Sequence, residues 1–225
     1  MAPGETYRIS DAALASRLSF FLWNAPPDDE LLEAAEAGRL GDPDELERQT
    51  RRMLQDPRAR TLSTRFASQW FRLQDLDKVN PDAQLYPYFD YQLKQAMTRE
   101  TQMLFQHIVD EDRSVLDLLT ADYTFVNERL ADHYNIPGVV GDEFRQVALR
   151  DDNRRGVLGH GSILMMTSHA NRTSPVMRGK WVMEVLLGSP PPPPPPVGVP
   201  AFDETSSAAG GRQLTTRERM EMHRD

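Results

Sequence analysis

"DYQLKQAMTRETQMLFQHIVDEDRSVLDLL", residues 90 to 119, is the longest helical pattern in the chain and decides its fold class. Leu93, Met97, Met103, Leu104 and Ile108 fall on one broad face, with Asp90 near the start. A helix this long and this apolar on one side needs partners, and the sequence on both sides supplies them.

Upstream, "SDAALASRLSFFLW" (10–23) sets Leu14, Leu18, Phe21 and Leu22 at helical spacing behind Ser10, and Asn24-Ala25-Pro26-Pro27 stops the run. "DDELLEAAEAGRL" (28–40) opens on acids, which suit the positive end of a helix dipole. Asp42-Pro43-Asp44-Glu45 has the signature of a capping box with proline at the first helical position. Asp56-Pro57 repeats the device ahead of "RARTLSTRFASQWFRLQDL" (58–76), where Leu62, Phe66, Trp70 and Leu73 form a stripe. Connections this short force neighbouring helices to pack against each other.

Downstream, "TADYTFVNERLADHYNIPG" (120–138) predicts a turn and a small helix capped by Asn127 and stopped before Pro137. Only "EFRQVALR" (143–150) alternates enough for an extended piece. "RRGVLGHGSILMMTSH" (154–169) carries an apolar stripe at Leu158, Ile163, Leu164 and Met166 and reads as one tightly packed helix, its glycines permitting close backbone approach. Ser174-Pro175 caps a last helix that Gly188 ends. Seven prolines, Pro190 to Pro196, then predict a polyproline II rod of roughly 20 Å. The expected fold is all-α: an irregular bundle of six to eight helices with a C-terminal polyproline segment. The expected division is a helical subdomain over 1–76, a main helical domain over 77–188, a proline-rich and flexible linker over 189–211, and the start of a further module over 212–225.

The totals narrow the function. A net charge of −8 argues against general nucleic-acid binding, which needs a basic face. The absence of cysteine excludes disulfides, thiolate metal sites, iron–sulfur clusters and covalently attached haem within this chain. No apolar run approaches a membrane span, and the N-terminal residues show no export signal.

Several stretches together resemble a known group. "DAALASRLSFFLWNAPPDDELL", "LLTADYTFVNERLADHYNIPG", "RRGVLGHGSILMMTSHANRTSPVMRGKWVMEVLLGSPPPPPP" and "TTRERMEMHRD" are similar to successive central modules of large planctomycete-type, cytochrome-c-associated proteins of unknown function. The similarity runs from about Tyr7 to Asp225, and the element from Thr173 to Pro196 is its most specific part. The resemblance implies an exported, periplasmic parent protein, with flanking haem-c-like modules as partners and haem c as their cofactor, none of it held by this chain. It also implies that the sequence stops short of a Cys-x-x-Cys-His module expected beyond Asp225.

Among candidate site residues, the basic turn stands first. Arg172, Arg178 and Lys180 surround a helix start opened by Thr173, Ser174 and Pro175, with Trp181 at the head of the next apolar stripe. Free N–H groups and bidentate arginines suit a carboxylate, a phosphate or a haem propionate; pairing of Arg172 or Arg178 with an internal acid such as Asp122 is the structural alternative. His160 and His169, nine residues apart, lie about 180° apart on one helix and cannot share a metal from one face unless the chain bends at Gly159 or Gly161. Glu100 with His107 shares a face and Glu128 with His133 is a looser pair, but the Glu-x-x-His of a bundle metal site is missing, so no metal is expected. "GHGSIL" lacks the Gly-x-Ser-x-Gly elbow, which weakens a hydrolase built on Ser162 with His160 or on Ser168 with His169. Asp122, Tyr123 and Asn127 set polar groups amid an aromatic run, where turn and cap roles compete with active-site use. Two function classes stay open. One is a non-catalytic scaffold or interaction section of an electron-transfer protein. The other is an enzyme domain, hydrolase or carbohydrate-linked oxidoreductase, with an anion pocket at the Arg172–Lys180 helix start.

Overall fold

The computed structural model describes residues 7–192 together with Thr215 and Glu218. It is predominantly helical, with one small two-stranded sheet. Three helices open the chain: α1 (Asp11–Trp23), α2 (Asp29–Glu36) and α3 (Pro43–Gln55). Their caps follow the sequence signals. Ser10 accepts from Ala13 N–H, Asp28 from Leu31 N–H and Asp42 from Asp44 N–H. Glu45 does not complete the capping box; it turns outward to Arg48 and Gln49.

A proline-started 3-10 turn (Pro57–Arg60) leads into a π-helical stretch (Leu62–Ala67), α4 (Ser68–Trp70) and a further 3-10 segment (Leu73–Lys78). This irregular backbone replaces the single helix expected over 58–76. Phe66 is exposed rather than buried, as is Phe21 in α1. The two rings meet edge-on, their centroids 5.4 Å apart, so the expected stripe residues pack on one another outside the core.

The long helix of the opening quotation is α5 (Tyr91–Asp110), capped by Asp90. It joins all three apolar clusters of the described residues. Leu93, Ala96 and Met97 pack with Val126, Leu130 and Tyr134. Leu104 and Ile108 pack with Phe71, Tyr123, Phe125, Ile163 and Trp181. Phe105 and Val109 reach the cluster built by α1–α3 around Trp23, Leu31, Leu40 and Met53.

After α6 (Asp117–Thr120), β1 (Tyr123–Val126) pairs antiparallel with β2 (Arg145–Ala148), Tyr123 opposite Ala148, with α7 (Glu128–Tyr134) between them. All four residues of β1 are buried, because the strand lies between α5 and β2. The helix expected over 154–169 is broken. A 3-10 turn (Val157–Gly159) precedes α8 (Gly161–Met166), and His160 is the hinge between them. Glycine is required here: Gly156 has φ +56°, and a Cβ on it would lie 2.5 Å from the Leu118 carbonyl oxygen.

The final helix, α9 (Pro175–Trp181), starts at the Ser174 cap and passes into a π-helical turn (Val182–Leu186). Gly188, at φ +59°, closes it, and Ser189 N–H donates to the Met183 carbonyl. Trp70 Nε1–H donates to the Val185 carbonyl at 2.9 Å, fastening this end to α4. The proline rod lies outside the described residues beyond Pro192, as does most of 212–225. Thr215 and Glu218 form a reciprocal capping box, with Glu218 N–H donating to Thr215 Oγ1 at 3.2 Å and Thr215 N–H to Glu218 Oε2 at 2.7 Å.

Candidate functional site

A cavity of about 330 Å³ opens where α5, α7 and α8 meet the turn that follows α8. Its aromatic wall is Tyr86, Tyr88 and Phe89, from the segment leading into α5; Met97, Leu164 and Met165 face it from α5 and α8. Arg154, Arg172 and Arg178 line the rest, with His133 and His169. No aspartate or glutamate of the described residues lies in the wall.

Backbone bonds hold these pieces in place. Ser168 and Thr173 form an isolated antiparallel bridge, and His169 N–H donates to the Arg172 carbonyl at 2.8 Å, so the basic turn is a tight reversal. Asp82 N–H donates to the Ala170 carbonyl at 2.9 Å, tying the aromatic segment to that turn. Arg129 donates to the Tyr88 carbonyl and, at 3.0 Å, to Asp90, the cap of α5.

Arg154 and Arg178 are held by groups other than carboxylates among the described residues. The Arg154 guanidinium lies 3.9 Å above the centre of the Tyr134 ring and donates to the Gly159 carbonyl at 3.2 Å. Arg178 reaches two hydroxyls, Thr167 Oγ1 at 3.5 Å and Thr173 Oγ1 at 3.3 Å. Among the described residues neither makes an ion pair, and Asp122 is not the partner of Arg178. Burial lowers the pKa of His133, and the positive charges of Arg154 and Arg129 lower it further. The cationic character of the cavity therefore comes mainly from arginine, which keeps its proton at any physiological pH.

Directly behind the wall lies a buried polar network. Glu100, 1% exposed, accepts from Thr124 Oγ1–H at 2.6 Å and from Tyr134 O–H at 2.6 Å. Tyr134 accepts in turn from Gly161 N–H at 2.7 Å. A Cβ on Gly161 would sit 2.8 Å from that hydroxyl, so glycine is what lets α8 begin there. His160 Nδ1 lies 2.9 Å from Thr101 Oγ1, which is 2.8 Å from Ser162 Oγ, while His160 Nε2 stands 3.9 Å from Glu100. Burial lowers the His160 pKa, with Glu100 opposing and Arg154 assisting. These bonds join β1 to α5, α7 and α8, and the three helices line the cavity. Their chemistry is positional, because the network is sealed from solvent.

The sequence-derived candidates divide. Arg172, Thr173, Arg178 and His169 share the cavity. Ser174 is spent as a cap, accepting from Met177 N–H, so anion recognition here rests on side chains and not on a helix start. Lys180 and Trp181 turn to a separate hollow, where Lys180 and Arg72 approach Glu184 at 3.6 and 2.8 Å. His160 is buried behind the wall, apart from His169. Ser162 bonds Thr101, and Ser168 donates to the Leu164 carbonyl at 2.7 Å, so neither serine is joined to a histidine. Glu100 turns away from His107, whose ring packs 5.3 Å from Tyr123. Glu128 accepts from Gly141 N–H, not from His133. Tyr123 is core, Asn127 caps α7, and the Asp122 carbonyl accepts from Leu149 N–H.

Arg154 and the wall of Tyr86, Tyr88 and Phe89 are not among the candidates the sequence offers, and His133 is there only as a possible partner of Glu128. Among the described residues no group of three or more acids and histidines is placed to hold a metal, and no helix is long and apolar enough to cross a membrane. Without cysteine the chain does not fit covalent haem.

Comparison with curated proteins and with solved structures gives no match. Two family models do match. One, a protein of unknown function designated DUF1588, covers residues 154–225 and so includes Arg154, the basic turn and α9. The other covers residues 9–136, more than half of the chain, from α1 through α7. The cavity lies where the two matched regions meet, and the chain belongs to the DUF1592 family of proteins of unknown function.

Proposed function

We propose that this chain is a non-catalytic scaffold and ligand-holding section of an exported, haem-c-associated redox protein, and that it captures a small organic anion in the cationic cavity. One observation carries the binding reading. Arg154 and Arg178 line one cavity and neither makes an ion pair among the described residues, in a chain whose net charge is −8. Placing like charges together is unfavourable unless something of opposite charge joins them. The haem-associated setting is supported by the sequence resemblance.

Calorimetric titration of the chain with acetate, inorganic phosphate and 2-naphthoate tests the binding half. At least one anion is expected to bind with Kd below about 1 mM, more weakly in high salt, and about tenfold more weakly to Arg178→Ala. Absence of salt-sensitive binding by all three anions overturns it. For the haem setting, the reading frame past Asp225 is expected to encode Cys-x-x-Cys-His within about twenty residues, and an unrelated domain there overturns that half.

A second reading rests on His169, which shares the wall with Arg172 and Arg178. An imidazole beside arginines is a candidate proton carrier, as in a hydrolase or a carbohydrate-linked oxidoreductase. Turnover of an ester or glycoside that is lost in His169→Ala, with the fold intact, establishes this reading in place of the first.

A further inference from the structure

The two arginines without ion pairs sit at opposite ends of one short helix. Arg154 is fixed at the N-terminal end of α8: it donates to the carbonyl of Gly159, and it covers the ring of Tyr134, whose hydroxyl holds Gly161 N–H. Arg178 is fixed at the C-terminal end, against Thr167, the residue that follows Met166. Six residues of α-helix rise about 9 Å. Between these ends α8 presents Leu164 and Met165 to the cavity, with Tyr86 and Phe89 in the same lining.

A ligand matched to this wall has two anionic ends separated by a flat apolar middle. The volume is consistent with that shape: about 150 Å³ of apolar cavity suffices for benzene, and the space here is about 330 Å³. We infer that the cavity selects a rigid, ring-bearing dicarboxylate, one carboxylate on Arg154, the other on Arg178, and the ring lying along Leu164 and Met165. This rests on the anion-binding reading and adds valence and shape to it. Two fixed cations at this separation favour a rigid dianion over two monoanions, because the second contact forms without further loss of translational freedom.

Titration of the whole chain with 2,6-naphthalenedicarboxylate, 2-naphthoate and succinate tests the inference. The naphthalene dicarboxylate is expected to bind at least about tenfold more tightly than 2-naphthoate, which matches it in ring size but has one charge. Succinate, which has both charges but no ring, is expected to bind at least about tenfold more weakly than the dicarboxylate. Arg154→Ala and Arg178→Ala should each reduce dicarboxylate affinity to the level of the monocarboxylate, while Arg51→Ala, far along the surface of α3, leaves it unchanged. Circular dichroism of each variant verifies that it is folded, and Arg154→Lys, which keeps the charge without the fork, serves where Arg154→Ala does not fold. Equal binding of naphthoate and its dicarboxylate, or of succinate and the dicarboxylate, overturns the inference and leaves a cationic cavity standing. Failure of every anion, phosphate included, overturns both.

Discussion

Arginines in the N-terminal bundle and arginines around the cavity are the same side chain put to opposite uses. On α3, Arg48 meets Glu30 at 2.9 Å and Glu45 at 2.8 Å, Arg51 meets Glu47 at 2.8 Å, and Arg52 grips both oxygens of Asp28 at 2.7 and 2.9 Å. Arg58 pairs with Asp56 and lies 3.5 Å over the Trp23 ring. Around the cavity, Arg154 and Arg178 rest on a ring, a carbonyl and two hydroxyls. In the first region charge is matched within the chain and serves the fold. In the second, Arg154 and Arg178 meet no carboxylate among the described residues, and the elements underneath are joined by Glu100, Tyr134 and Thr124. The contrast predicts where stability resides.

The largest effect is expected at Glu100. Glu100→Ala removes the acceptor of two buried hydroxyls, Thr124 and Tyr134, and opens a void between α5, β1 and α7. An orphaned buried polar group costs about 1–3 kcal/mol, so urea denaturation is expected to show a loss of about 3–5 kcal/mol. A loss below about 1 kcal/mol breaks the comparison, since the cavity floor would then be anchored elsewhere.

In the N-terminal bundle the heaviest single contributor is Asp28, which caps α2 at Leu31 N–H and also holds Arg52. Asp28→Ala is expected to cost about 1–2 kcal/mol, mostly through the cap, because the ion pair is partly solvated. The Arg52 hydrogen bond lowers the Asp28 pKa below its ordinary 3.8. Its contribution is therefore complete above that value and lost as pH falls through the lower, folded value. Acid titration of stability in the parent and in Asp28→Ala should converge at low pH; parallel curves reject the pairing.

The same linkage separates the two regions at milder pH. Burial lowers the pKa of His160 and of His133 below 6.5 in the folded chain, so the unfolded chain binds more protons just below that pH. Stability is expected to be full above pH 6.5 and to decline as pH falls below it, until the folded values are reached. The urea midpoint should drop between pH 7.5 and 5.5, and less so in His160→Asn. Asp28, Glu45 and Asp56 of the N-terminal region add no change in that window, because each is lowered from a value already below it.

How much of this was legible follows from the range of the interactions. The caps Ser10, Asp42, Asn127 and Ser174 act within three residues, and the sequence shows each of them. β1 was hidden because four residues, Tyr123–Val126, are too few to show a period and are buried on both sides. The glycines at 159 and 161 allow a bend, but that the helix breaks at His160 depends on Tyr134, 27 residues away, reaching Gly161 N–H. Half of the cavity was visible, since Arg172, Thr173 and Arg178 are close in sequence. Arg154 and the Tyr86–Phe89 wall were not, because nothing local marks a tyrosine that will face an arginine 60 or 70 positions on. The sequence also suggests an internal acid such as Asp122 as a partner for Arg172 or Arg178, and for Arg178 the described residues show no such pair.

The smallest expected effect discriminates most sharply between the two regions. If Arg178 served the fold as Arg52 does, removing it would lower the melting temperature. Its contacts are hydroxyls at 3.3 and 3.5 Å, weak by the standard of charged hydrogen bonds, and it shares a wall with two further cations. Removing one of the two positive charges that meet no carboxylate among the described residues relieves repulsion by about as much as those contacts contribute. Arg178→Ala is therefore expected to melt within a degree or two of the parent, or slightly above it, in ligand-free buffer. Arg52→Ala is expected to melt measurably lower. Scanning calorimetry of both variants at low and high salt decides the matter, because the relief of repulsion fades with screening while the loss of packing does not. A ligand-free Arg178→Ala that melts as far below the parent as Arg52→Ala would make the cavity arginines structural, and the contrast between the two regions would dissolve.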